Sequence, residues 1–191
     1  MPSFMRSKRT LLATPTTIVF ATMELFCQRV VCFYMNLIPV TDGHFAAMIE
    51  GTAPASTLRI PPNGVDDPVI LRLVRRGASD MREKGVQGCW MMVVDGEVVG
   101  LCGFKGIPKP DGSVEIGYGV APERRRRGHA TKAVCLLIAR AYDLGVRVAM
   151  AETEASNVSS ERVLKRNQFR SVGRRDVEGK TFRDWELRIQ R

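Results

Sequence analysis

The chain has 191 residues, 45% of them hydrophobic, and a formal net charge of +9 from 29 Lys and Arg against 20 Asp and Glu. That length and balance describe one globular domain with a sizeable core, and the absence of internal repeats or low-complexity stretches excludes a repeat array. The basic excess favours anionic partners (nucleotides, nucleic acid or anionic membranes) without choosing among them, and much of it is local, in residues 124–127 and 162–175.

Arg6, Lys8 and Arg9 precede an uncharged run over 10–23, and no acid appears before Glu24. The run lacks a small-residue cleavage site and is too short to span a bilayer. Residues 1–34 are therefore expected to be an extension, disordered or from an overlong start, with a targeting or membrane-anchoring segment as the alternative, and the domain proper over 35–191. No stable membrane insertion and a cytoplasmic location are expected.

A strand is expected over 31–40, rich in Val, Cys, Phe, Tyr and Ile and closed by Pro39. Thr41-Asp42 reads as a helix cap, with Phe45, Met48 and Ile49 on one face. Residues 51–68 are a loop broken by Pro54, Pro61-Pro62, Asn63-Gly64 and Pro68. The helix expected over 69–84 turns Ile70, Leu71, Val74 and Met81 to the core and its arginines outward. Residues 89–94 and 98–104 form a hairpin around Asp95-Gly96. A second turn spans 108–112 and a third strand 113–120. A helix over 131–144 buries Ala133, Val134, Leu137, Ile138, Ala141 and Tyr142, and Gly145 ends it. A strand over 147–153, a short helix over 158–167 and a hairpin of 171–177 with 181–189 complete the chain. The order β-α-α-β-β-β-α-β-α-β-β predicts an α/β (α+β) fold. Its sheet is mixed, mostly antiparallel and twisted, with about seven strands and about four helices, and a strand–helix–strand crossover over 113–153.

Five cysteines, Cys27, Cys32, Cys89, Cys102 and Cys135, make an odd count with no C-x-x-C pair. This predicts a reducing compartment and no disulfide framework. Only His44 and His129 could join them as ligands and no ligand spacing appears, so no metal is expected.

The chemistry concentrates in Arg125-Arg126-Arg127-Gly128-His129-Ala130, between a strand and a helix. A helix start offers unpaired N–H groups and the positive end of its dipole, and glycine lets a ligand approach the backbone. Such a turn suits a pyrophosphate. Arg125-x-x-Gly128-x-Ala130 resembles the acyl-CoA-binding motif of the GCN5-related N-acetyltransferases (GNAT): Gln or Arg, two residues, Gly, one residue, Gly or Ala. It follows a Glu-Ile-Gly-Tyr strand and opens a long helix, as in that family. A second segment, Asn157-Val-Ser-Ser160-x-x-Val163-Leu164-Lys165-x-Asn167-x-Phe169, resembles the family's Asn-x-x-Ser-x-x-Val-Leu-x-Lys-x-Gly-Phe. It departs at its end, where Lys165 stands one place early and Gln168 replaces the usual Gly. The resemblance covers residues 35–189, and the branch of ribosomal-protein N-terminal and small-amine acetyltransferases looks nearest.

The resemblance implies acetyl-CoA as co-substrate, no metal, and direct attack by a primary amine of a small molecule or peptide in a ternary complex. It implies that the backbone from Arg125 through Arg126, Arg127, Gly128 and His129 to Ala130 grips the pyrophosphate. Arg124, Arg126 and Arg127 either screen the 3′-phosphate or face water. The strand carrying Tyr118, Gly119 and Val120 should part from its parallel neighbour to form a pantetheine slot, with the Val120 N–H as oxyanion donor. Asn157 is a pantetheine contact, a helix N-cap, or both. Ser160 is the candidate acid for the departing thiolate, or else an ordinary first-turn serine. Glu115 and Glu152 are the candidate bases, against a plain surface or structural role. His129 is expected to point to solvent or pack on the adenine side. Cys102 and Cys135, Trp90, Met91, Met92 and Trp185 read as core. The acceptor should lie between the 51–68 loop and the turn over 178–180. A monomer or homodimer is expected. The alternative is a non-catalytic nucleic-acid or acyl-CoA binding module using Arg124–Arg127; without aromatic residues among these arginines, nucleic acid is the weaker partner.

Overall fold

The computed structural model describes residues 34–189. The predicted extension over 1–34, and with it the start of the first predicted strand, falls outside the described residues except for Tyr34. In chain order the elements are β1 (Met35–Pro39), α1 (Asp42–Ile49), α2 (Pro68–Glu83), β2 (Cys89–Val94), β3 (Glu97–Phe104), β4 (Ser113–Val120), a short 3-10 turn (Pro122–Arg124), α3 (His129–Asp143), β5 (Val148–Glu154), α4 (Val158–Arg166), β6 (Arg170–Val177) and β7 (Lys180–Arg188). The strands form one seven-stranded sheet in the order β1-β2-β3-β4-β5-β7-β6. All neighbours are antiparallel except β4 and β5, which are parallel and joined through α3. This is the predicted mixed α/β sheet with four helices among the described residues.

Alternation along the strands divides the core in two. Trp90, Met92 and Val94 of β2 pack with α3 and α4 residues such as Leu137 and Leu164, while Cys89, Met91 and Val93 pack with Phe45 and Leu71 of α1 and α2. β2 is buried along its whole length because both faces are covered. Trp90 meets Phe104 edge-on at 5.4 Å, and the Trp185 indole donates to the Thr153 hydroxyl at 2.8 Å. These contacts confirm the core reading of Trp90, Met91, Met92 and Trp185.

Three local readings change. Ile70 is 43% exposed rather than core-facing, since Leu71 takes the buried position one residue later. The helix after the arginine run begins at His129 rather than at residue 131. Cys89 and Cys102 are free buried thiols, whereas Cys135 is only half-buried on α3 rather than fully in the core. Burial pushes the Cys89 thiol up to about 12 and raises that of Cys102 as well. Burial disfavours the thiolate of both, in keeping with their place in the core.

Among the described residues no helix is long and apolar enough to cross a membrane. No group of His, Cys, Asp or Glu among them could hold a metal ion.

Candidate active site

The site starts where the parallel ladder stops. β4 and β5 pair only at Ser113–Val148, Val114–Ala149 and Glu115–Met150. Beyond Glu115 the two strands part, although β4 stays paired with β3 as far as Val120. The β5-facing edge of β4 from residue 116 onward therefore has no strand partner, and its polar backbone groups need other partners. Gly117 and Gly119 lie in this stretch.

The basic turn sits at the open end of the split. Gly128, at φ 82°, is the N-cap of α3 and provides no side-chain cap. Arg126 is also left-handed, at φ 62°. Alternating backbone hands of this kind turn successive N–H groups into a concave, anion-accepting surface at the positive end of the helix.

The four arginines then divide. Arg124 does not face water or wait for a phosphate: it is 21% exposed and grips Glu97 through two hydrogen bonds, at 2.6 and 2.8 Å. Glu97 is held below the ordinary carboxyl range by that guanidinium. Arg125 is exposed, but its Nε donates to the Val120 carbonyl at 3.0 Å, tying the turn to the end of β4. Arg126 and Arg127 are exposed.

His129 is only 5% exposed, so of its two expected placements the solvent-facing one does not hold. Burial, followed by nearby Arg127 and Arg124, lowers its pKa.

On the helix side of the split, Asn157 caps α4. Its side-chain oxygen accepts from the Ser160 N–H at 3.1 Å and from the Ser159 hydroxyl at 2.9 Å. The capping role is thus filled, leaving the amide nitrogen as the group available to a ligand. The Tyr118 hydroxyl crosses from β4 and donates to the Ser160 carbonyl at 3.3 Å. Burial pushes the Tyr118 phenol up to about 12. Two hydroxyl groups, those of Ser160 and Tyr118, therefore belong to the first turn of α4 and its border with the split.

The predicted bases are both ion-paired. Glu115 is paired with Lys105 at 2.6 Å, at the last rung of the closed ladder. Glu152 is ion-paired with Arg175 of β6. A carboxylate that sequence reasoning missed stands beside the unpaired stretch of β4. A Cβ built on Gly119 would meet Oδ2 of Asp66, in the 51–68 loop, at 3.1 Å. Asp66-Asp67-Pro68 carries only part of the signal, a spare acid beside a helix cap. Asp67 caps α2 by accepting from the Val69 N–H at 2.7 Å, with Pro68 in the first turn, which leaves Asp66 without a capping duty.

The loop itself is fixed. Arg59 bridges to β3, donating to the Gly96 carbonyl and accepting from the Val98 N–H, both at 2.8 Å, and Asn63 bonds Glu123. A separate cavity of about 430 Å³, lined by Asp111, Arg147, Val148, Arg188 and Ile189, opens at the opposite, closed end of β4 and β5.

An open sheet split between its two parallel strands, with the joining helix beginning in a basic glycine turn, is the GNAT acetyltransferase fold. The acetyltransferase (GNAT) domain model matches residues 35–170, and the chain belongs to that family. Among solved structures it is similar to RimJ of Mycobacterium smegmatis, in complex with CoA-disulfide, at 20% identity over 81% of each chain with a TM-score of 0.61. It is similar to the ribosomal-protein-alanine N-acetyltransferase of Brucella melitensis at 19% identity, over 82% of this chain and 99% of that one, with a TM-score of 0.58. It is also similar to yncA of Salmonella typhimurium, solved with its cofactor acetyl-CoA, at 19% identity over 82% and 94% with a TM-score of 0.58. At these identities the likeness is one of fold. No curated protein matches the chain in sequence.

Proposed function

We propose that this chain transfers an acetyl group from acetyl-CoA to a primary amine, of a small molecule or a peptide N-terminus, by direct attack in a ternary complex. The observation that carries the reading is the ladder that stops at Glu115–Met150 beside an uncapped, glycine-led helix start. A pantetheine arm needs backbone partners along an open strand edge, and a pyrophosphate needs N–H groups at a helix start; both stand at one end of β4. The Asn157 amide reaches the arm from the α4 side, and the Val120 N–H polarises the thioester carbonyl. The carbon–nitrogen bond forms as the carbonyl electrons move to oxygen, and their return breaks the carbon–sulfur bond. The departing thiolate takes a proton at α4, from Ser160 or Tyr118.

Thiol release from acetyl-CoA tests this against Ala- and Ser-initiated peptides, spermidine, kanamycin and free amino acids. Turnover with one class is expected, together with acetyl-CoA raising the melting temperature. Gly128→Trp is expected to be inert and unshifted, because it places a bulky side chain in the left-handed cap. Steep, salt-sensitive binding of DNA or RNA without an acetyl-CoA shift would instead favour the binding-module reading of the arginine run.

A further inference from the structure

We propose that Asp66 is the carboxylate that takes the proton from the attacking amine; this rests on the acetyl transfer proposed above. Three observations place it there. The first is position. Side chains alternate along β4, so Gly119 faces away from Tyr118 and α4, onto the face that carries Glu115 and Gly117. On that face Oδ2 of Asp66 lies within 3.1 Å of where a Gly119 Cβ would stand, one residue from the Val120 N–H. A carboxylate there borders the split from the side opposite the pyrophosphate turn and the two hydroxyls.

The second is rigidity. Oδ1 of Asp66 accepts from the Asp67 N–H at 2.8 Å, which fixes the carboxylate. Val65 beside it is buried, and the loop is anchored on β3 through Arg59 and on the 3-10 turn through Asn63 and Glu123. The third is availability. Among the described residues Asp66 forms no ion pair, whereas Glu115 and Glu152 are held by Lys105 and Arg175. A carboxylate held by a cation must give up that partner before it can take a proton. Glu115 is also four residues from Gly119, roughly 13 Å along the strand.

The proton balance is simple. Asp66 takes one proton from the incoming ammonium and passes it to solvent, freeing the nitrogen lone pair to attack. The nitrogen loses its second proton after the carbon–nitrogen bond forms, and the departing thiolate gains one.

The test uses the full chain and the same amine panel. Asp66→Asn keeps an oxygen for the Asp67 N–H. It is expected to lower kcat about 100-fold, with the acetyl-CoA KM and thermal shift unchanged. Asp66→Ala is expected to recover part of its rate on addition of formate, which a residue of purely structural importance would not allow. Wild-type rates in both variants would overturn the proposal and leave acetyl transfer standing. Loss of the acetyl-CoA shift in both would assign Asp66 a structural role and overturn it too. If the wild-type chain bound acetyl-CoA but turned over no amine, the functional reading would fail and this proposal with it.

Discussion

Arg124 shows how one residue type in one run acquires different duties. Its guanidinium forms a two-point pair with Glu97, both side chains about one-fifth exposed, so the pair is screened less than a surface one. Arg124→Ala is expected to lower the melting temperature by several degrees. Because Glu97 is depressed in the folded chain, the pair's stabilisation is fully present above the ordinary glutamate value, about pH 4.3. It is lost as pH falls through that value toward the folded one. The gap in melting temperature between wild type and Arg124→Ala should therefore be constant from pH 7 to about pH 5 and shrink below about pH 4, as scanning calorimetry would show. At the same scale, Tyr118 and Ser160 supply two hydroxyls to one corner. The double variant Tyr118→Phe, Ser160→Ala is expected to lose about 100-fold in kcat, and each single variant much less. If one single variant loses as much as the double in steady-state kinetics, that residue alone is the acid.

At the scale of elements, the motifs were legible where local rules decide conformation. The hairpin turn at Asp95-Gly96, the proline-led α2 and the glycine-led α3 follow from residues within a few positions of each other. The departure at the end of the second motif is also local. Gln168 stands where the family has glycine, and it adopts φ 66°, the left-handed conformation glycine takes freely. The turn keeps its shape. Asn167 holds it from the other side, donating to the Thr131 carbonyl at 3.2 Å and so fixing the end of α4 to the first turn of α3. Gln168→Gly is expected to relieve the strain of a side chain at positive φ and stabilise the chain by about 1 kcal/mol, measured by urea denaturation at unchanged m-value. What could not be read locally depends on chain segments that meet only on folding. Asp66 lies 53 residues before Gly119 in the chain, and no pattern within either segment announces the contact. Arg124 is likewise 27 residues from Glu97, so its run reads as uniform until β3 supplies the acid. His129 reads as solvent-facing inside a polar turn, yet the turn is already the first turn of α3 and the ring is carried inward.

For the whole molecule, the net charge of +9 is a poor guide to any one surface. After folding, Arg124 is spent on Glu97 and Arg125 on the Val120 carbonyl, and Arg126 and Arg127 remain exposed beside the uncapped start of α3. The face of β5, β6 and β7 that carries Glu152, by contrast, pairs its charges internally, through Arg175 with Glu152 and Asp184 and through Lys180 with Glu154. Salt should therefore act on the two halves of the reaction unequally. Exposed charges separated by more than about 8 Å are largely screened at physiological ionic strength, and backbone N–H groups in contact with an anion are screened far less. Raising salt from 50 to 500 mM is expected to weaken acetyl-CoA binding only a few-fold if, as proposed, the backbone between Arg125 and Ala130 holds the pyrophosphate. A nucleic-acid site built from the same arginines would lose orders of magnitude over that range. Replacing Arg126 and Arg127 together by glutamine should remove most of the salt dependence while leaving the low-salt affinity within about tenfold, as isothermal titration would measure. A slope that survives the double replacement would place the cofactor's phosphates on some other part of the molecule.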